Sequence, residues 1–252
     1  MFKFFKSNRN YEPLDFELRN YFENCLLWLK QEFPNPPLEN RKVLTPTFED
    51  FPIKWNQSEE NAFDVLKIVC QNMQINESKV IMDFFQNAPK EINSGSQKIF
   101  LKKEEGASDS IGFYLHKNQK GKYGIAIDAD LLNSPENLIA TIAHELCHLK
   151  LLGEKKLKDN DEILTDYSTV FFGLGIFNAN ASFQFNNNSE FWEYRSSGYM
   201  KISEWAYGLA IFALLRKESN PTWSKYLSKS VKSEFDKCLK YVFENEKDIF
   251  KN

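Results

Sequence analysis

The chain has 252 residues, of which 42% are hydrophobic and 27% are charged, a composition typical of a globular protein with a substantial core. Its formal net charge is −3 and its basic residues are dispersed, so it lacks the electrostatic footprint of a nucleic-acid-binding protein. Because it contains no run of about 18 apolar residues, we expect no transmembrane helix. Its four cysteines include no C-x-x-C pair, so we expect the thiols to be reduced and the protein to be cytoplasmic.

Residues 1–55 are predicted to form a helix followed by an extended segment. The opening MFKFFKSNRN has lysines among its phenylalanines, so it lacks the apolar run of a signal peptide. Apolar residues then recur with a helical period in PLDFELRNYFENCLLWLKQEF, and the following PNPP ends that pattern. A proline-spaced extended stretch comes next. We therefore separate this segment from a main domain formed by residues 56–252.

The main domain is predicted to begin with one helix and a small antiparallel sheet. Ser58, followed by Glu59 and Glu60, is typical of the capped start of a helix, which continues through NAFDVLKIVCQNM. KVIMDFF and KIFLKK are short strand candidates. IGFYLH and YGIAID flank KNQKGK, in which Gly121 indicates the turn of a β-hairpin. Together these signals predict an antiparallel sheet over residues 79–128.

Helices are predicted to dominate the rest of the chain. Ser134-Pro135-Glu136 combines an N-cap residue, a proline at the first helical position and an acid in the first turn. We expect Gly153 to end this helix in a left-handed cap, and the next helix to begin near Asp161. The asparagine-rich residues 178–200 are predicted to be irregular, and two more helices follow. The predicted fold is therefore helix-rich α+β.

The segment LIATIAHELCHLKLLGE contains the motif with the clearest chemistry, because His144-Glu145-Leu146-Cys147-His148 fits H-E-x-x-H. Residues four apart stack on one face of a helix, so both imidazoles can reach one metal ion. Glu145 is turned by about 100° from His144, where it can reach a water molecule without binding the metal. Zinc lowers the pKa of a bound water to about 7, and Glu145 would take its proton. The motif therefore predicts a zinc site with Glu145 as the general base.

A catalytic zinc ion needs a third protein ligand and keeps one open position. Glu154 stands where the pattern H-E-x-x-H-x-x-G-x-x-H has its third ligand, although Leu151 occupies the glycine position of that pattern. Glu162 opens the next predicted helix, and Asp166 follows one turn later on the same face, a spacing that suits a ligand and a carboxylate that orients a histidine. We favour Glu162 as the ligand, with Glu154 and Asp166 as alternatives.

The motif and the acidic pair that follows it resemble the gluzincin metallopeptidases, of which thermolysin is the familiar member. The residues that carry the resemblance are His144, Glu145, His148, Glu162 and Asp166. The resemblance implies the two histidines and Glu162 as zinc ligands, Glu145 as the general base, and Asp166 as a hydrogen-bond partner of a ligating histidine. It also implies a zincin-like domain with a cleft beneath an edge strand, for which YGIAID is the candidate. The chain has a shorter gap to the glutamate than thermolysin and no clear downstream histidine.

A further residue is expected to stabilise the oxyanion formed during hydrolysis, since a hydroxyl or guanidinium group near the metal can do so. The candidates are Tyr194, Arg195, Tyr199 and Tyr207. We choose Tyr199, which follows SSG in a polar stretch. His116, on a predicted strand, and Cys147, on the far side of the motif helix, are expected to have structural roles.

These observations predict a zinc-dependent hydrolase, and in particular a peptidase that acts on peptide or protein substrates. Neither nucleic acid nor a membrane is an expected partner. Two alternatives stay open: a catalytically silent zincin-like scaffold that binds a partner, and a narrow-specificity regulatory or conflict protease. The intact Glu145 favours an enzyme over a scaffold, because a scaffold needs no general base.

Overall fold

The computed structural model describes residues 11–85, 92–94, 97–99, 112–115, 118, 120–186 and 200–251, and most of these are helical. The α-helices are α1 (Phe16–Glu32), α2 (Glu59–Asn72), α3 (Pro135–His148), α4 (Glu162–Phe171), α5 (Gly175–Asn186), α6 (Ile202–Leu215) and α7 (Lys229–Glu244). The strands are β1 (Val80–Phe85), β2 (Ile92–Ser94), β3 (Gln97–Ile99), β4 (Gly112–Leu115) and β5 (Tyr123–Asp128). The helix-rich α+β fold is confirmed.

Three helices begin at polar side chains that accept hydrogen bonds from the first turn. Asp15 caps α1 through the amide of Leu18, at 2.9 Å. Ser58 caps α2 and Asp161 caps α4, as the sequence predicts. α3 begins at Pro135, also as predicted, although Ser134 makes no capping side-chain hydrogen bond. The local signals therefore locate the helix that carries H-E-x-x-H and the helix that follows it.

The larger sheet is mixed, so the prediction of a purely antiparallel sheet is wrong. Its strand order is β1-β5-β4, with β4 and β5 forming the predicted antiparallel hairpin and β1 running parallel to β5. β2 and β3 form a separate antiparallel pair. The hairpin signal reports only the pairing of adjacent strands, whereas the long connection from β1 allows a parallel arrangement. Among the described strands, β5 is consequently central, and the edge strand beside α3 is β4 rather than YGIAID.

Gly153 does not end α3 in a left-handed cap. The chain continues from His148 into a π-helical turn, Leu149–Gly153, and the residue with a positive φ is Lys155, at 60°. Gly153 instead permits close packing, because a Cβ there would lie 2.8 Å from Cε1 of Tyr123 and 2.9 Å from the hydroxyl of Tyr114. Glycine is therefore required here because the hairpin packs closely against it, and not because the backbone adopts a left-handed conformation.

The asparagine-rich stretch is helical as far as Asn186, so the prediction of irregular structure over 178–200 is wrong for its first part. Asn178 donates to the carbonyl of Ala140 at 3.0 Å, and Asn180 donates to that of Tyr226 at 2.9 Å. Asparagine disfavours helices by bonding to its own backbone, and here both side chains bond to other elements instead. Tertiary contacts therefore override the local preference.

α3 lies at the centre of the fold, in contact with α2, α4, α5 and the β4–β5 hairpin. Its Leu138, Ile142 and Leu146 are fully buried, and each contributes about 1.5–3 kcal/mol through burial. α1 shares this hydrophobic core, since the ring of Phe22 packs edge-on against that of Tyr167 in α4. None of the helices in the described ranges is both long enough and apolar enough to cross a membrane.

Candidate metal centre

Three potential ligand atoms from two helices converge at one end of α3. Nε2 of His144 lies 3.1 Å from Nε2 of His148. Oε2 of Glu162, the first residue of α4, lies 3.3 Å and 3.5 Å from those two nitrogens. Ligand atoms held about 2.0–2.2 Å from a tetrahedral zinc ion are separated by roughly 3.3–3.6 Å. The two distances to Glu162 lie in this range and the distance between the imidazole nitrogens is about 0.2 Å shorter, so small side-chain movements would let this donor set hold one zinc ion.

Asp166 lies one turn after Glu162 and holds the outer side of the first imidazole. Its Oδ1 is 2.8 Å from Nδ1 of His144, and both side chains are largely buried. A proton on Nδ1 that is donated to this carboxylate leaves the lone pair of Nε2 directed at the other two ligand atoms. Asp166 thus occupies the position that the spacing predicts for a carboxylate that orients a histidine.

The other carboxylate considered as a ligand, Glu154, is directed elsewhere. It follows the π-helical turn and accepts a hydrogen bond from Lys150 at 2.7 Å. That amine is buried and also lies 5.0 Å from the ring centre of Phe33. Of the three carboxylates that the sequence offers, Glu162 is the one placed against both imidazoles.

Hydrogen bonds within the cluster shift the pKa values of its members in opposite directions. Hydrogen bonds with His144 and His148 hold the pKa of Glu162 far below its ordinary value. Burial acts to lower the pKa of His144, but its hydrogen bonds with Asp166 and Glu162 outweigh burial and raise that pKa well above the usual value. A bound cation would compete with protons for the imidazole nitrogens, so metal affinity is expected to increase with pH.

α1 contacts the segment that joins the two halves of this cluster. The hydroxyl of Tyr21 donates to Oδ2 of Asp161 at 3.2 Å, while Oδ1 of the same carboxylate caps α4 through Leu164. Near the other end of the helix, Glu32 accepts from Lys156 at 3.0 Å. The N-terminal helix thereby supports the start of α4, where Glu162 is located.

The carboxyl group of Glu145 is buried beneath the edge strand. A Cβ placed on Gly112 of β4 would lie 2.8 Å from Oε1 of Glu145 and 2.6 Å from Cγ2 of Thr141, so the backbone of β4 passes directly over both residues. Burial raises the pKa of Glu145. A carboxylate with a raised pKa is a more effective proton acceptor near neutral pH.

Adding a methyl group at Gly112 is expected to displace Glu145. Because a displacement of about 1 Å at a reacting group lowers rates by on the order of 100-fold, Gly112→Ala should lower by that factor the hydrolysis that the motif predicts, and should leave the predicted zinc binding unchanged. The measurements are the hydrolytic rate and the zinc content of the same preparation. Gly124→Ala is the control, since its added Cβ would meet the Leu115 side chain in the same hairpin. Unchanged hydrolysis in Gly112→Ala would show that the strand does not position Glu145.

Two residues beside His148 were not identified from the sequence. The ring of Tyr114 in β4 stacks on the imidazole with centroids 6.0 Å apart and an interplanar angle of 27°. Oγ1 of Thr165 lies 3.5 Å from Nδ1 of the same imidazole. Thr165 follows Glu162 by three residues, which places the two on one helical face. This spacing is the sequence feature that indicates Thr165 as a neighbour of the metal site. Nothing in the local sequence indicates the contact of Tyr114.

Of the predicted oxyanion donors, Tyr207 lies away from the cluster. It is buried in α6, where its hydroxyl donates to the carboxylate of Glu23 in α1. Cys147 is buried as expected, and burial raises its pKa well above the usual value. The other donor candidates, Tyr194, Arg195 and Tyr199, lie outside the described residues, as does His116.

Comparison with protein-family models, with curated proteins and with solved structures gives no match for this chain.

Proposed function

We propose that the protein is a zinc-dependent hydrolase, and specifically a peptidase. The observation that carries this proposal is the convergence of His144, His148 and Glu162, with Glu145 next to the first histidine on the same helix. Two imidazoles and one carboxylate form the ligand set of one class of catalytic zinc site, which keeps a position open for water or substrate. The resemblance to the gluzincins supports the same assignment.

The side chains divide the chemistry among themselves. When bound, zinc would act as a Lewis acid that polarises a carbonyl group and lowers the pKa of water. Glu145 would accept the proton of the attacking water and transfer it to the leaving nitrogen. Asp166 would hold His144 in the tautomer that directs Nε2 to the metal. The burial of Glu145 keeps its carboxylate away from bulk water, so the proton has few competing acceptors.

The proposed substrate is an extended peptide, either free or within a protein. β4 is the edge strand of its sheet among the described strands, and it passes directly over Glu145. An extended chain can pair with such an edge through main-chain hydrogen bonds, which brings a peptide bond to the site without a requirement for particular side chains. We also propose that the protein acts in the cytoplasm, as its four unpaired thiols predict.

Two other functions use the same cluster. A zincin-like scaffold would bind zinc and a partner without hydrolysis, and a regulatory or conflict protease would cleave a single protein. The placement of Glu145 favours an enzyme, because a buried carboxylate beside the metal ligands has no evident purpose in a scaffold. Cleavage of a peptide library separates a general peptidase from a protease restricted to one substrate.

Protein purified without chelators is expected to contain about one zinc ion per chain. The reason is the convergence of three ligand atoms, which pre-organises the site before metal binds. Elemental analysis gives the metal content, and titration of chelator-treated protein with zinc gives the affinity. His144→Ala should lose zinc and hydrolysis together. If the wild-type protein contained no transition metal and bound no zinc on titration, both the zinc-hydrolase proposal and the zincin-like scaffold alternative would be wrong.

A further inference from the structure

The two imidazoles of the cluster are both contacted on their outer nitrogens by residues of α4. Nδ1 of His144 faces the carboxylate of Asp166 at 2.8 Å. Nδ1 of His148 faces Oγ1 of Thr165 at 3.5 Å, the long end of hydrogen-bond range. Thr165 is 1% exposed and His148 is 6% exposed, so the contact is shielded from water. Hydrogen bonds at sites without their ligand are often long and shorten when the complete site forms.

Threonine has a single hydroxyl hydrogen, and this determines which group donates in the contact between Thr165 and His148. The hydroxyl of Thr165 donates its single hydrogen to the main-chain carbonyl of Asp161 at 2.7 Å. Oγ1 is therefore left as an acceptor toward His148, and the proton of that contact belongs to Nδ1. Nε2 of His148 then carries a lone pair, which faces Nε2 of His144 and Oε2 of Glu162.

We propose that Thr165 is a positioning residue that holds His148 in its metal-binding tautomer, an inference that rests on the zinc site proposed above. α4 then carries a three-part unit in Glu162, Thr165 and Asp166, at positions i, i+3 and i+4 of one helical face. The first binds the metal, the second orients one histidine and the third orients the other. The hydroxyl acts through His148 and contacts neither metal nor substrate.

The test is the zinc affinity of three variants, measured by competition with a chromogenic chelator. Thr165→Val keeps the shape of the side chain but removes the acceptor, and it should weaken zinc binding by about 10–100-fold. Thr165→Ser restores the hydroxyl and should bind within about threefold of the wild type, because the oxygen that accepts the proton is kept. Thr169→Val is the matched control. It removes a buried hydroxyl that donates to a carbonyl in the same helix, that of Asp166, and it should leave the affinity unchanged.

A second readout separates orientation of the imidazole from loss of stability. In zinc-loaded protein with ¹⁵N-labelled histidine, the Nδ1 proton of His148 should be protected from exchange in the wild type and in Thr165→Ser. In Thr165→Val it should exchange faster, while the Nδ1 proton of His144 stays protected by Asp166. A general loss of stability would affect both protons.

Each outcome decides the proposal. Wild-type affinity in Thr165→Val, or an equal loss in Thr165→Ser, would overturn the role of Thr165 and leave the zinc site in place. If Thr165→Val does not fold, the wild-type spectrum still decides, since a proton on Nε2 of His148 in the zinc-loaded protein would overturn the proposed tautomer. Absence of zinc binding by the wild type would overturn the metal site itself and this inference with it.

Discussion

Replacing Glu145 by glutamine is expected to lower hydrolysis by about 10²–10⁴-fold while the zinc content stays at the wild-type level. The amide has nearly the shape of the carboxyl group but cannot accept the proton of the attacking water. Glu145 is absent from the set of converging ligand atoms, so its replacement leaves the three proposed zinc ligands in place. The measurements are the rate of peptide cleavage and the metal content of one preparation.

Two controls bracket this result. Glu136→Gln makes the same change at an exposed acid in the first turn of the same helix and should alter neither quantity. His144→Ala should lose both. A Glu145→Gln protein with full activity on a substrate that the wild type cleaves would show that another group accepts the proton.

Replacing Glu162 by alanine is expected to weaken zinc binding most severely among the carboxylate variants. Its Oε2 is the one carboxylate oxygen in the converging set, so its removal leaves two ligands. Asp166→Ala should give a smaller loss of about 10–100-fold, because Asp166 acts through the orientation of His144. Glu154→Ala should have little effect, since Glu154 is 37% exposed and pairs with Lys150.

Competition with a chromogenic chelator ranks the three variants on one scale. Glu154→Ala is the matched control because it removes a carboxylate of equal size from the segment between the same two helices. A severe loss in Glu154→Ala together with unchanged affinity in Glu162→Ala would reverse the assignment of the third ligand. Equal losses in Glu162→Ala and Asp166→Ala would place Asp166 in the metal site as a ligand.

The parts of the site that depend on a single helix were predictable from the sequence. Helical periodicity puts His144 and His148 on one face, and Ser134-Pro135-Glu136 starts the helix that carries them. The hairpin of β4 and β5 likewise follows from a local signal around Gly121, whose φ is 76°. These features involve residues close in the chain, where propensity and spacing have direct geometric consequences.

Contacts between elements distant in the chain were not predictable in the same way. Among the described strands, the parallel pairing of β1 with β5 leaves β4 at an edge of the sheet, and β4 brings Gly112 over Glu145. The contact of Thr165 with His148 requires the exact rotation of α4 against α3, and a change of one residue in the intervening turn would alter it.

The sequence by itself determined the helix-rich α+β class, the helix that carries H-E-x-x-H and the short list of carboxylates from which a third ligand could come. Only the tertiary structure decided which of those carboxylates lies against both imidazoles. The π-helical turn after His148 directs Glu154 toward Lys150, while packing of α4 on α3 brings Glu162 to both imidazoles. Spacing along a chain specifies which residues share a helical face, but the path of a turn and the packing of two helices depend on side chains from the whole core.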